Sequence, residues 1–164
     1  MTDTPATRII ELMAARGQSL AVAESLTGGM LVARLIDTPG ASAVVVGGVV
    51  AYATSLKHEL LGVPAALLDE QGPVHPDVAL AMARGVRERL AVDGIGADLG
   101  VATTGVAGPD PQGASAVGLV YVAVADARGA VVRERHLSGS RAAIREASVD
   151  AALELILEHL TAGE

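Results

Sequence analysis

The sequence predicts an α/β domain, a single three-layer α/β/α unit with a mixed, mostly parallel sheet. Three observations predict it. Short apolar runs of strand length alternate with amphipathic helical segments through the first hundred residues. Asp126-Ala127-Arg128-Gly129 then separates two apolar runs as a hairpin turn would. A long helical pattern closes the chain, and no repeat, low-complexity tract or linker divides it.

Thr4-Pro5 opens a helix to about Arg16, with Ile9, Leu12 and Met13 on one face and Gly17 as its stop. Leu20 to Ile36 reads as a short strand, a polar elbow at Glu24-Ser25 and a helix beginning near Thr27-Gly28. Asp37-Thr38-Pro39-Gly40 turns the chain into Ala43 to Tyr52, a continuous apolar run expected to be a buried strand. Gly47-Gly48 inside it marks a bulge, a close backbone approach or tight packing. Thr54-Ser55 can cap a short helix through Leu61, which Gly62 ends. Val63 to Pro73 is a connection with a helical turn near Ala65–Leu68. Pro76 starts a helix to about Leu90, with Val78, Met82, Val86 and Leu90 in line.

Asp93-Gly94-Ile95-Gly96 leads into a strand over Ala97 to Thr103, followed by a Gly/Pro-rich loop from Thr104 to Gly113. Val117 to Ala125 and Ala130 to Leu137 form the hairpin. The last helix runs from Arg141 to about Leu160. Its broad apolar face suits deep docking or a subunit interface, so a homodimer is expected over a monomer.

Composition narrows the chemistry. Of 164 residues, 51% are apolar and 1% aromatic, so the core is Val, Leu, Ile and Ala. The net charge of −7 and the scarcity of aromatics argue against nucleic-acid binding. No run is long enough for a membrane span and no leader is evident, so a cytoplasmic location is expected. The absence of cysteine removes thiolate metal sites and a thiol nucleophile. His58, His75, His136 and His159 show no ligand spacing, and no metal or cofactor is expected; a helix dipole suffices for His159. Lys57 is the single lysine among twelve basic residues. A desolvated lysine can accept a proton near neutral pH, which arginine cannot.

In an α/β sheet the loops after neighbouring parallel strands gather in one crevice. Three strand ends here carry polar groups: Glu24 to Thr27, Tyr52 to Lys57, and Thr103 to Gly105. If those strands are neighbours, Ser25, Tyr52, Lys57 and Thr104 converge, and a serine activated by neutral lysine would hydrolyse an amide or ester. Gly28, Gly29, Gly105 and Gly108 would admit backbone N–H groups to the substrate. Each feature has a plainer explanation: Ser25 or Thr27 as a helix cap, Tyr52 as core with its hydroxyl at the rim, Thr104-Gly105 as a turn, Gly108 to Pro111 as a rigid loop.

Five ordered blocks carry a family resemblance. They are Ala23 to Gly29; Gly47 to Tyr52 with Lys57 and Leu61-Gly62-Val63; Thr104 to Pro109; Val117 to Tyr121; and Gly139-Ser140-Arg141 with Arg145. From about Pro5 to Leu160 the chain resembles the CinA C-terminal domain family, the nicotinamide-nucleotide amidases. The resemblance implies hydrolysis of nicotinamide mononucleotide to nicotinate mononucleotide and ammonia in a cytoplasmic, usually oligomeric α/β/α domain. Longer members place a molybdopterin-binding-like domain before it and are linked with competence and DNA damage. A non-catalytic nucleotide-binding or interaction module is therefore the alternative, beside a Ser-Lys hydrolase of another amide.

By the resemblance Ser25 is the nucleophile, Lys57 the base and Tyr52 their neighbour. Thr104-Gly105 contacts substrate, and Arg141 and Arg145 are placed to meet a 5′-phosphate. Glu24, Thr27, Gly28 and Gly29 are counted with the substrate-binding residues. Thr27 takes the capping role, and Glu24 orients Lys57 or the substrate, or holds the turn. Departures from the family pattern are Leu26 for Cys, His75 for Ser, Ser115-Ala116 for Lys-Pro, and Ser140 for Asp.

Overall fold

The computed structural model describes residues 4–162. In chain order the elements are α1 (Pro5–Ala15), β1 (Leu20–Glu24), α2 (Met30–Ile36), β2 (Val45–Val50), α3 (Thr54–Leu61) and α4 (Ala65–Gln71), with a 3-10 turn at Ala41–Ala43 between α2 and β2. They continue with α5 (Pro76–Arg89), β3 (Leu99–Gly105), β4 (Leu119–Ala125), β5 (Ala130–His136) and α6 (Arg141–Thr161). The five strands form one sheet in the order β2-β1-β3-β4-β5. β1 pairs in parallel with both β2 and β3, and only β4 runs against the rest. The mixed, mostly parallel three-layer arrangement is the one expected.

Strand alternation divides the core by side-chain size. Leu20, Val22, Val101, Val120, Val122 and Val124 point to the face covered by α1, α2 and α6. Ala21, Ala23, Ala102, Ala123 and Ala125 point to the face covered by α3, α4 and α5, with Tyr121 the large exception among the buried strand residues there. Small residues on that second face let α5 lie close to the sheet. A Cβ at Gly100 would stand 2.0 Å from the Ala83 carbonyl oxygen, and one at Gly85 would stand 1.8 Å from that of Leu61. Gly85 thus lets α3 pack directly on α5.

Several boundaries differ from expectation for physical reasons. β2 is an edge strand rather than a buried one: alternate residues are exposed, Val46 and Val50 among them. A continuous apolar run has no periodicity to distinguish the two cases. Its glycines serve two ends, since the register slips from Leu20↔Val45 to Ala21↔Gly47, a bulge at Val46, and Gly48 lies against Val32 of α2. The N-cap of α3 is Ala53, with no side-chain bond from Thr54 or Ser55. The connection after Val63 is helical through Gln71, and β3 extends through Thr104-Gly105.

The apolar breadth of α6 is used within the chain. Ile144, Val149, Ala152, Leu155 and Ile156 are buried against the sheet, α1 and α2. Deep docking accounts for that face, so it no longer argues for a homodimer. No helix of the described residues is long and apolar enough to cross a membrane.

Gly85→Ala in an ordinary exposed helix would gain up to about 1 kcal/mol from propensity. Here the added methyl meets a backbone carbonyl, and overpacking of this kind costs about 1–3 kcal/mol. Thermal unfolding is expected to fall by several degrees, and an unchanged or raised Tm would show that α3 and α5 are not in this contact.

Candidate active site

The parallel register brings three strand ends side by side. Glu24 of β1 is level with Val50 of β2 and Thr103 of β3. Beyond that line Ser25 N–H donates to the Thr103 carbonyl at 3.0 Å, and Ala51 N–H donates to the Glu24 carbonyl at 2.8 Å. β2 and β3 lie on opposite sides of β1, so the crevice opens where the chain path reverses direction across the sheet.

The elbow after β1 is tighter than a direct strand-to-helix step. Gly28 and Gly29 adopt φ values of 60° and 98°, left-handed geometry that suits glycine, and α2 starts only at Met30. Gly28 N–H donates to the Ser25 carbonyl at 3.1 Å. The free N–H groups of α2 are taken by one buried side chain. The Glu24 carboxylate, 1% exposed, accepts from Gly29 and Leu31 through Oε2 at 3.1 and 3.0 Å and from Val32 through Oε1 at 2.9 Å. Of the three roles open to Glu24, the structure assigns it the turn and the cap. It corrects Thr27, whose hydroxyl pairs with that of Thr103 at 2.7 Å instead of capping.

Arg145 holds the other side of the elbow. Its Nε donates to the Leu26 carbonyl at 2.8 Å and its Nη2 to that of Thr27 at 3.1 Å. With Gly28 and Gly29 N–H bonded inside the turn, Leu26 and Thr27 are the elbow amides with no acceptor among the described residues.

Lys57 reaches the crevice from the first turn of α3 and is 1% exposed. Its Nζ lies 3.0 Å from Ser25 Oγ and 2.9 Å from the Ala51 carbonyl oxygen. No carboxylate among the described residues accompanies it, and burial pushes its pKa from 10.5 down to about 8. A neutral amine can donate to Ala51 while its lone pair accepts the Ser25 hydroxyl proton. That is the arrangement a serine nucleophile with an adjacent base would require.

One cavity is lined by Ser25, Tyr52, Lys57, Thr104, Gly105 and Arg141. Tyr52 is 61% exposed rather than core, and its hydroxyl accepts from Arg141 Nη2 at 2.9 Å. Arg141 Nη1 donates to the Gly108 carbonyl at 2.5 Å, tying the loop after β3 to the start of α6. Thr104 Oγ1 donates to the Pro73 carbonyl at 2.7 Å. Glu24, Thr27, Gly28, Gly29 and Arg145 stand behind the wall and shape it without lining it. Asp110 and Gln112 also line the cavity, although their loop reads in sequence as merely rigid.

Two departures from the family pattern keep a capping function. His75 Nδ1 accepts from Asp77 N–H to cap α5, and Ser140 Oγ accepts from Ala143 N–H to cap α6. His159 adds to its helix-end position a 2.9 Å contact with Asp126. Among the described residues no group of three or more His, Asp or Glu is placed to hold a metal.

The family model for the CinA C-terminal domain matches residues 2–160. The chain belongs to the CinA family. A CinA-like protein of Frankia casuarinae is 48% identical over 148 residues, covering 90% of this chain and 33% of that protein. A putative competence-damage inducible protein of Desulforudis audaxviator is 45% identical over 159 residues, covering 96% of this chain and 37% of that protein. The chain thus spans about a third of the length of these curated relatives. Among solved structures, the competence/damage inducible protein CihA of Agrobacterium tumefaciens aligns with a TM-score of 0.87 at 37% identity, over 95% of this chain and 93% of that one. A CinA superfamily protein of Klebsiella pneumoniae aligns with a TM-score of 0.88 at 28% identity, covering 96% of each chain.

The lowered pKa of Lys57 has a signed consequence for this CinA domain. Between about 8 and 10.5 the unfolded chain holds a proton on Lys57 that the folded chain does not, so stability rises with pH across that window. Tyr121 acts in the opposite sense and higher up. Burial and then its bond to Glu134 raise its phenol above 10.0, so its contribution is lost as pH climbs beyond that value. Denaturant melts of the parent and Lys57→Met across pH 7 to 10 are expected to diverge, with only the parent gaining stability. Parallel curves would place the titration of Lys57 outside this window.

Proposed function

We propose that this domain is an amidohydrolase that converts nicotinamide mononucleotide to nicotinate mononucleotide and ammonia, with Ser25 as nucleophile and Lys57 as base. The observation that carries the reading is the buried contact between the chain's single lysine and Ser25 at the end of β1. In the proposed reaction Ser25 Oγ attacks the carboxamide carbon as its proton passes to the neutral Lys57 amine. The tetrahedral oxyanion is met by the free amide of Leu26, which lines the cavity. Protonated Lys57 returns the proton to the leaving nitrogen, ammonia departs, and an acyl ester remains on Ser25. Water then attacks that ester with Lys57 again accepting a proton, and collapse of the second intermediate restores the serine and releases the acid.

Charge distribution supports the orientation. Arg141 gives one N–H each to Gly108 and Tyr52, which leaves guanidinium donors for a 5′-phosphate at the rim. Arg145 is committed to the elbow, so the phosphate role that the resemblance gives to both arginines falls to Arg141.

The second reading is a nucleotide-binding or interaction module without turnover, favoured by the names of relatives described as competence-damage inducible. Ammonia release from nicotinamide mononucleotide, nicotinamide and NAD separates the two, and it also reveals a different amide substrate. Ser25→Ala and Lys57→Arg are each expected to lose at least ~100-fold in kcat/KM. Full activity in either variant ends the dyad, and no turnover of any substrate by the parent favours the module. The kcat/KM profile is expected to rise with pH through a limb near 8, where Lys57 loses its proton. The kcat limb should lie lower, because a bound cationic pyridinium favours the neutral amine.

A further inference from the structure

Thr104 occupies the second-last position of β3, is 1% exposed, and lines the cavity with Ser25 and Lys57. Its Oγ1 is 2.7 Å from the Pro73 carbonyl oxygen, in the connection between α4 and α5. A carbonyl can only accept, so the one hydroxyl hydrogen of Thr104 is fixed on Pro73. Only lone pairs remain to meet a ligand. Tyr52 has the opposite polarity: its oxygen accepts from Arg141, which leaves its own hydrogen to donate.

A primary carboxamide and the corresponding carboxylate have nearly the same shape and differ in this respect alone. The amide offers two N–H donors on one arm, whereas the carboxylate offers acceptors on both. We infer that Thr104 is the specificity-determining residue that distinguishes the amide substrate from the acid product, by accepting a hydrogen bond from the carboxamide nitrogen. The inference rests on the amidase reading above. It adds a direction to it: the same oxygen holds the nitrogen that must leave, binds it more strongly as that nitrogen gains a proton, and then faces a carboxylate it cannot pair with. The Pro73 carbonyl makes the discrimination possible, because a hydroxyl free to rotate would serve amide and acid equally.

Calorimetric titration of nicotinamide mononucleotide and nicotinate mononucleotide into the Ser25→Ala protein tests this without turnover. The amide is expected to bind about 10- to 100-fold more tightly than the acid, the range set by one buried mismatched polar group. Adding Thr104→Ser should preserve that ratio. Adding Thr104→Val, which keeps the shape but presents a methyl, should bring it to within about threefold, and Thr104→Ala should do the same if the valine variant fails to fold. A ratio that is unchanged while both affinities fall together would overturn the inference and leave Thr104 as a pin for the Pro73 segment. Tighter binding of the acid to the parent would overturn it too. Binding of neither nucleotide would overturn the amidase reading itself, whereas turnover with an unaltered ratio removes only the role of Thr104.

Discussion

The Nζ of Lys57 lies 3.0 Å from the Ser25 hydroxyl and 2.9 Å from the Ala51 carbonyl, almost wholly buried and with no carboxylate among the described residues to balance it. Holding an amine in that position draws on much of the molecule. The helix that carries it is stopped by left-handed Gly62, whose N–H returns to the His58 carbonyl. That helix rests on α5 through the gap left at Gly85, and α5 rests on a sheet face lined with alanine. The Ala51 carbonyl is positioned by the neighbouring bond from Ala51 N–H to Glu24. Charge on the buried amine is disfavoured, so the packing that fixes its position also tilts it toward the neutral form.

Electrostatic roles are divided between the floor and the rim of the crevice. At the floor, Glu24 offsets the positive end of α2, and Arg145 offsets the outward carbonyls of Leu26 and Thr27. The elbow is therefore rigid, and the positive end of α2 is already occupied by the protein's own carboxylate. At the rim, Arg141 keeps donors for a ligand while it links Tyr52 to the loop after β3. On the proposed reading, a substrate anionic at one end and neutral or cationic at the other would find its charge matched at the mouth and its reactive group directed inward.

Much of this was legible in the chain because local patterns coincide with tertiary ones. Alternating strand and helix signals give the layers, and the Asp126 turn gives the hairpin. The meeting of Ser25 with Lys57 was legible through two compositional facts, the lone lysine and the missing cysteine, which set the two residues apart. What was not legible depends on distance in space. Glu24 is one of many acidic residues, and only folding brings three helix N–H groups onto it. The run from Val45 to Val50 looks equally apolar at an edge or in the centre. The contact of Thr104 with Pro73 spans 31 residues and leaves no trace in either segment. Gly85 and Gly100 lie within a helix and a strand, where nothing local demands glycine.

The division of the core by side-chain size bears on how such a sequence can drift. On the α1, α2 and α6 side the sheet presents valine and leucine, which can be exchanged among themselves at nearly constant volume. On the α5 side it presents alanine and glycine beside Tyr121, and at the alanines and glycines almost the only change open is enlargement. Enlargement there pushes on α5, and through α5 on the helix that holds the amine. Neutral variation is thereby channelled to one half of the interior, while next to the buried amine the small residues are held fixed by having almost nothing smaller to become.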